Sequence, residues 1–285
     1  MTTPRIRAEL FFGARCNRAP QATTFAPGRL VLLGEHLDHQ GGPVLAVPLL
    51  RGVAVSYGVR PDSRIAIWSM NAKAKDHFVS GAWHRTGRRW SDLAKGVCAH
   101  VASERRLPGL DLVVYGNLPV QAGLGSSGAY LTALFEAVYG ALGIARPPAE
   151  LARDVAAVER EWGGVACGPL DPYVAAVGEV GEVLHVDCAA LTHETLQLPD
   201  HAALEDHDTG VVRSLAETPY NDRRAELERA LALAREARPD LAALPALTVD
   251  ALDALALPAP ESRRARHVVT ETRRVADAAD AIERG

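Results

Sequence analysis

The spacing of apolar and polar positions predicts strands mainly in the first two thirds of the chain and helices mainly in the last two thirds. Short apolar runs bounded by glycine or proline are typical of strands. They are found at Leu30 to Leu33, Val44 to Leu50, Val53 to Val59, Arg64 to Trp68, Leu110 to Tyr115 and Val183 to Val186. Helical spacing is found at Leu93 to Val101, Leu131 to Leu142, about Ala149 to Glu161, about Asp222 to Ala237 and Ser262 to Glu283. Residues 1 to 24 give only an amphipathic piece near Leu10, and the stretch from Pro239 to Pro260 predicts short helical pieces joined by proline breaks.

A glycine- and serine-rich loop, residues 118 to 130, joins a predicted strand to a predicted helix. Three glycines and two serines there let the backbone approach an anion, with N–H groups and the positive end of the helix dipole facing it. The loop has neither the Gly-Lys-[Ser/Thr] of a Walker A loop nor the spacing of a dinucleotide-binding loop. On its residues alone it fits a phosphate cradle and an ordinary capped turn equally well.

A second polar stretch follows the predicted strand Leu30 to Leu33. Glu35, His36, Asp38 and His39 lie within five positions, in a segment bounded by glycines. Three interpretations are open: a metal site, a solvated turn, and recognition of a polyol, whose vicinal hydroxyls pair with neighbouring carboxylate and imidazole groups. The spacing fits no helical zinc pattern, which makes the metal the weakest of the three.

Composition narrows the classes of function. The chain of 285 residues is 48% hydrophobic, with a net charge of −4 and a pI near 6.2, so we expect no nucleic-acid partner. No apolar run reaches the length of a membrane helix, the first residues lack the apolar core of a signal peptide, and the four cysteines are scattered. These features predict a cytoplasmic protein without a membrane partner.

Two stretches together resemble the GHMP small-molecule kinases, and most closely the galactokinases. Residues 27 to 39 are similar to the galactokinase signature, and residues 123 to 130 to the phosphate loop of the family. Further matches follow in the family order at Trp90 with Lys95, Glu159, the segment 167 to 171, Tyr220 with Arg223, and the segment 264 to 269. The resemblance implies an α+β GHMP kinase fold, with a ribosomal protein S5-like N-terminal domain over residues 1–185 and an incomplete ferredoxin-like C-terminal domain over 186–285.

The resemblance implies an ATP-dependent sugar kinase that phosphorylates the anomeric hydroxyl of galactose. Asp171 would accept the proton of the attacking hydroxyl, and Arg29 would stabilise the transition state. Ser127 and Glu159 would bind Mg²⁺, an arrangement of oxygen ligands suited to that ion. The remaining matches place Glu35, His36, Asp38, Gly168 and Tyr220 on the sugar, Gly123, Leu124, Gly125, Ser126, Ser127 and Gly128 on the triphosphate, and Trp90 and Ser69 beside the adenine.

Some of these residues also have a purely structural interpretation. Asp171 before Pro172 is predicted to be a helix N-cap and to be ionised at neutral pH, which does not exclude catalysis. Glu159 could be a solvated carboxylate on a helix, and Arg29 a surface arginine. Trp90 is as suited to a core as to an adenine wall.

The sequence also departs from the family pattern. Val31, His39, Gln40 and Pro172 stand where galactokinases usually have other residues, which affects sugar specificity more than the class of reaction. Only Gly210 and Gly285 follow Gly181, so the late glycine-rich segment of the family is absent. We therefore expect the chain alone to be destabilised and weakly active unless a partner, or self-association, covers the gap. The alternatives are a sister substrate (N-acetylgalactosamine, arabinose or mevalonate) and an inactive protein that binds sugar or nucleotide.

Overall fold

The computed structural model describes residues 3–119, 122–165, 167–199, 202–205, 207 and 220–284. Val120 and Gln121 of the glycine-rich loop lie outside these residues, as do Gly210 and Gly285. The chain divides into two compact units that alternate along the sequence. The first unit contains Met1–Arg29, Leu49–Cys167 and Asp171–Gly178, and the second contains Leu30–Pro48, Gly168–Leu170 and Glu179–Gly285. The predicted domain boundary at residue 185 stays a prediction.

The sheet of the first unit is mainly antiparallel. It contains β3 (Arg64–Ser69), β4 (Ala74–Val79), β5 (Gly109–Gly116) and parts of β1 (Ala22–Leu33) and β2 (Pro43–Arg60). The order is β4-β3-β5-β2, and β1 also pairs with β2. β3 and β5 run parallel, whereas β5 pairs antiparallel with the part of β2 from Val53 to Arg60.

The prediction of two separate strands, Val44 to Leu50 and Val53 to Val59, was wrong. Both belong to the single strand β2, which continues through Arg51 and Gly52. A Cβ atom at Gly52 would overlap the carbonyl oxygen of Ala26 on β1, and the Gly52 N–H donates to Oδ1 of Asn117 at 2.8 Å. The glycine therefore permits a close approach between backbones inside the strand and does not mark a turn.

Five helices lie wholly or mainly in the first unit: α1 (Pro4–Cys16), α2 (Arg89–Glu104), α3 (Ser126–Ala141), α4 (Pro148–Gly163) and α5 (Leu170–Val177). α2, α3 and α4 pack against one another, and α1 packs against β5. The core of the first unit consists of apolar side chains from its strands and helices, among them Phe12, Ile65, Ile67, Leu110, Leu112, Leu131, Leu134 and Phe135.

In the second unit, the first residues of β2 pair antiparallel with β6 (Val183–Asp187), and β6 pairs with β7 (Thr192–Leu196). Its helices are α6 (Tyr220–Ala237), a 3-10 turn (Leu244–Ala246), α7 (Val249–Asp253) and α8 (Glu261–Arg284). α8 packs against α6 and contacts β7. The buried side chains include Leu37, Leu45, Leu184, Leu244, Val268 and Val275.

The mixture of strands and helices confirms the predicted α+β class. The predicted helices in the second half are also confirmed, including short helical pieces between Pro239 and Pro260. Sequence reasoning missed α1, β4 and β7. Of the helices that the structure describes, none is both long and apolar enough to cross a bilayer.

Candidate active site

The glycine-rich loop brings a helix N-terminus to the end of a strand, as predicted. Gly123 and Gly125 have φ of 78° and 69°, backbone conformations that residues other than glycine rarely adopt. α3 begins directly afterwards, at Ser126. The first intrahelical bond of α3 runs from Ala129 N to Gly125 O. The N–H groups of the residues before Ala129 are therefore available to an anion.

Two further residues of the first unit lie directly against this loop. A Cβ atom at Gly125 would lie 3.2 Å from Arg29 Cγ and 3.4 Å from Asp171 Oδ2. A Cβ atom at Gly128 would lie 2.8 Å from Asp171 Cβ, and the Arg29 backbone N–H donates to the Leu124 carbonyl oxygen at 3.0 Å. Arg29, Asp171 and the loop thus converge, although 142 residues of sequence separate Arg29 from Asp171.

Arg29 and Asp171 form a two-pronged ion pair. Arg29 Nε donates to Asp171 Oδ1 at 2.7 Å and Nη2 donates to Oδ2 at 3.0 Å. The third nitrogen, Nη1, donates to the carbonyl oxygen of Gly123. The side chains are 15% and 26% exposed, so each is held in place yet reachable from solvent.

The prediction that Asp171 is a helix N-cap was wrong. α5 begins one residue earlier, at Leu170, and Asp171 lies inside its first turn. Both oxygens of its carboxylate accept from Arg29. A carboxylate in a first helical turn is still favoured by the helix dipole.

Ser127 and Glu159 supply two buried oxygens without partners. Glu159 on α4 is only 2% exposed, and neither its Oε1 atom nor Ser127 Oγ has a hydrogen-bond partner among the described residues. Burial raises the pKa of Glu159 and Asp171 adds to the increase, against the neighbouring Ser127 and Cys167 side chains, which act to lower it. An unpaired buried carboxyl group is costly, and a cation would compensate for it. A hydroxyl and a carboxylate are donors that Mg²⁺ accepts, so these residues fit the predicted ion.

Trp90 and Ser69, the predicted adenine neighbours, both lie in the first unit. Trp90 is in the first turn of α2, and its carbonyl oxygen accepts a 2.5 Å hydrogen bond from the Tyr130 hydroxyl on α3. Ser69 ends β3, and its Oγ accepts from the Ala72 N–H at 3.1 Å. Their place beside a nucleotide base stays a prediction.

In the second unit, residues 34 to 41 form a compact turn, called here the 34–41 turn. Gly34, His36 and Gly41 all have positive φ, at 104°, 66° and 69°. Leu37 is fully buried and anchors the turn, and a 3-10 turn begins at Asp38. Glu35, by contrast, is exposed. The turn therefore presents polar side chains around one buried leucine.

The five predicted sugar-binding residues all belong to the second unit. Three of them, Glu35, His36 and Asp38, lie on the 34–41 turn itself. Asp38 packs so closely against Gly168 that any side chain at position 168 would overlap the Asp38 carboxylate. The Tyr220 ring stacks on His36, with centroids 5.4 Å apart.

His39 joins this cluster; the sequence placed it in the polar stretch after Leu33 but not among the predicted sugar-binding residues. Its ring lies edge-on to His36 at 5.8 Å and to Tyr220 at 6.2 Å. Burial, followed by the neighbouring His36 and Arg224, lowers the pKa of His39 to about 4. The ring is therefore neutral at physiological pH.

Sequence reasoning missed two residues of α8 that contact the 34–41 turn. Glu271 Oε1 accepts from the Gly34 N–H at 2.7 Å, and His267 Nε2 lies 2.8 Å from the Glu35 carbonyl oxygen. More than 230 residues of sequence separate these partners, so no local spacing could indicate the contacts. The match of segment 264 to 269 to a family motif was the only available signal.

Comparison with known proteins supports a common origin. Residues 92–179 match the family model described as GHMP kinases N terminal domain, and residues 11–59 match the one described as Galactokinase galactose-binding signature. A galactokinase of Roseiflexus sp. is 33% identical over 93% of this chain and 69% of its own length. A galactokinase of Pasteurella multocida is 29% identical over 99% of this chain and 74% of its own.

Solved structures agree with these relatives. A Lactococcus lactis galactokinase complexed with galactose superimposes with a TM-score of 0.85 at 27% identity, over 97% of this chain and 74% of that one. The mevalonate kinase of Methanococcus jannaschii, at 13% identity and a TM-score of 0.50 over 84% of this chain and 81% of that one, shows the shared fold alone. The predicted GHMP kinase fold is thereby confirmed. The chain belongs to the galactokinases, a branch of the GHMP kinase family.

Proposed function

We propose that this chain transfers the γ-phosphoryl group of ATP to the anomeric hydroxyl of galactose, giving galactose 1-phosphate and ADP. The observation that carries the proposal is the convergence of Arg29, Asp171 and the glycine-rich loop. Phosphoryl transfer depends mainly on positioning and charge neutralisation, which such a set of groups supplies.

The chemical roles follow from the contacts in the first unit. Asp171 accepts the proton of the sugar hydroxyl while the hydroxyl oxygen bonds to the γ-phosphorus and the bond to the β,γ-bridging oxygen breaks. Arg29 already orients the Asp171 carboxylate, and its guanidinium faces the loop through Gly123. It would neutralise charge that develops on the transferring group. The N–H groups at the start of α3 would bind the phosphate oxygens.

Ser127 and Glu159 would hold the magnesium ion of the nucleotide complex. The support is their two buried oxygens without partners in the described part of the chain. When bound, the ion would neutralise phosphate charge during transfer. We also propose that Trp90 and Ser69 lie beside the adenine of the nucleotide.

The second unit would bind the sugar. Carboxylates accept hydrogen bonds from hydroxyls, and imidazole and phenol groups both donate and accept, so Glu35, His36, Asp38 and Tyr220 suit a polyol. Gly168 would contribute by leaving room for Asp38. The galactose in the Lactococcus lactis structure supports a hexose as acceptor. A cytoplasmic location and self-association stay predictions.

A coupled assay of ADP release, run over galactose, N-acetylgalactosamine, arabinose and mevalonate, tests the proposal. Galactose should give the highest kcat/KM. Asp171→Asn should lower kcat by about 10²- to 10⁴-fold, because the amide cannot accept the proton, while galactose binding measured by calorimetry persists. Asp62→Asn is the matched control, since Asp62 also pairs with an arginine through both oxygens but is half exposed. Turnover with mevalonate alone, or an Asp171→Asn variant of normal kcat, would contradict the proposal.

A further inference from the structure

The backbone of the 34–41 turn adopts conformations that need external support. Gly34 has a φ of 104°, and a Cβ atom there would lie 2.9 Å from the Pro43 carbonyl oxygen. His36 has a φ of 66°, although it carries a full side chain. Such conformations persist only where surrounding contacts determine them.

α8 supplies two of those contacts from one face. Its residues His267 and Glu271 are four positions apart and so project from the same side of the helix. Glu271 Oε1 accepts from the Gly34 N–H at 2.7 Å. His267 Nε2 lies 2.8 Å from the Glu35 carbonyl oxygen, which can only accept, so the ring nitrogen donates. The two side chains thus hold the consecutive residues Gly34 and Glu35 by their backbone.

The Glu271 side chain is buried and held in place at this contact. It is 6% exposed, and its second oxygen pairs with Arg274, whose Nε donates at 2.7 Å. Although burial acts to raise the pKa of Glu271, the Gly34 N–H and Arg274 together lower it. The carboxylate is therefore charged, and its bond to the Gly34 N–H is of the stronger, charge-assisted kind.

We propose that Glu271 and His267 form a clamp that positions the 34–41 turn for sugar recognition. They are positioning residues, since they touch the backbone of the turn. Their bonds fix where the side chains of Glu35 and His36 point, and the clamp rests on the proposed function of this turn as the galactose site. Every residue of the clamp and the turn lies in the second unit, whereas the residues proposed for the nucleotide belong to the first.

The test measures the KM for galactose and the KM for ATP separately in clamp variants. Glu271→Leu leaves the Gly34 N–H without its acceptor, and we expect the KM for galactose to rise about tenfold or more. The KM for ATP should stay within about twofold of wild type. Glu271→Gln keeps an oxygen acceptor and should recover most of the loss. His267→Phe keeps a ring without the donor and should raise the KM for galactose by a smaller factor.

Asp277→Asn is the matched control, because it removes an exposed carboxylate of α8 whose ion pair, with Arg273, lies within the helix. Its two KM values should equal those of wild type. If Glu271→Leu does not fold, His267→Phe decides the matter through the same separation of KM values. A KM for galactose unchanged in Glu271→Leu and His267→Phe, or a KM for ATP that rises equally in them, overturns the clamp. A wild-type chain without galactose-dependent turnover would instead overturn the proposed function, and galactose calorimetry on the same variants would then decide the clamp.

Discussion

The Arg29–Asp171 pair and the 34–41 turn hold their polar groups in place by opposite means. In the pair, side chains fix each other: both carboxylate oxygens of Asp171 accept from the Arg29 guanidinium. In the turn, the support reaches the backbone, through Leu37, Glu271 and His267, and the Glu35 side chain remains exposed.

This difference agrees with what each region is proposed to do. A group that handles one proton and one phosphoryl transfer needs a fixed geometry, which a planar two-pronged ion pair supplies. A surface that binds several sugar hydroxyls needs side chains with unoccupied hydrogen-bonding capacity, so rigidity must come from the backbone. Changes to side-chain shape should therefore reduce activity most in the first region. The properties of the second region should be tested by changes to charge and burial.

Arg29→Lys tests the pair most severely. Lysine keeps the positive charge but has no planar fork, so it cannot hold both oxygens of Asp171 while donating to Gly123. We expect kcat to fall by about 100-fold, with the KM for galactose little changed. The assay of ADP release measures both.

The matched control for this change is Arg60→Lys. Arg60 donates to both oxygens of Asp62 at 2.8 Å, so the same kind of fork is lost outside the proposed site. Its kcat should match wild type. If Arg29→Lys were as active as Arg60→Lys, the fork would have no part in catalysis.

Glu159→Gln tests the unpartnered oxygens beside the pair. The amide removes the negative charge with almost no change in shape, so magnesium should bind more weakly. We expect about a tenfold increase in the Mg²⁺ concentration needed for half-maximal rate at fixed ATP, with an unchanged KM for galactose. Glu161→Gln, at an exposed position of the same helix, is the control and should titrate like wild type. Coincident magnesium curves for all three proteins would remove Glu159 from the proposed metal site.

The sequence predicted the pair better than the support of the turn, and the reason is physical. Gly125, Ser127 and the strand and helix around them form a local pattern, because a backbone that approaches an anion needs glycine at fixed positions. The resemblance then supplied Arg29 and Asp171. The contact between Glu271 and Gly34 joins residues 237 positions apart, and nothing in the spacing of either segment indicates the other.

Other failures came from local signals that were misjudged. Thr3 caps α1 by accepting from the Ile6 N–H, and Pro4 is the first helical residue, which together are a helix-start signal. Gly52 separates two short apolar runs that predicted two strands, but it lies inside β2. His39 was recognised as part of a polar stretch, but its burial beside His36 could not be predicted, because that burial depends on tertiary packing.

His39→Tyr gives the smallest expected effect and examines the turn through its charge. Because burial lowers the pKa of His39 to about 4, the unfolded chain binds a proton near pH 6.5 that the folded chain does not. The stability contributed by the neutral ring is therefore present above that pH and is lost as the pH falls toward the folded pKa. Between about pH 7.5 and about pH 5.8, the unfolding free energy of wild type should fall by about 1 kcal/mol more than that of His39→Tyr, whose phenol does not titrate there. Urea denaturation at the two pH values measures these free energies. His77→Tyr, at an exposed site, is the control, and its unfolding free energy should fall between the two pH values by as much as that of wild type. If the unfolding free energies of wild type and His39→Tyr fell by the same amount, packing would not hold the His39 ring neutral. The 34–41 turn would then be closer to a solvated surface than its geometry indicates.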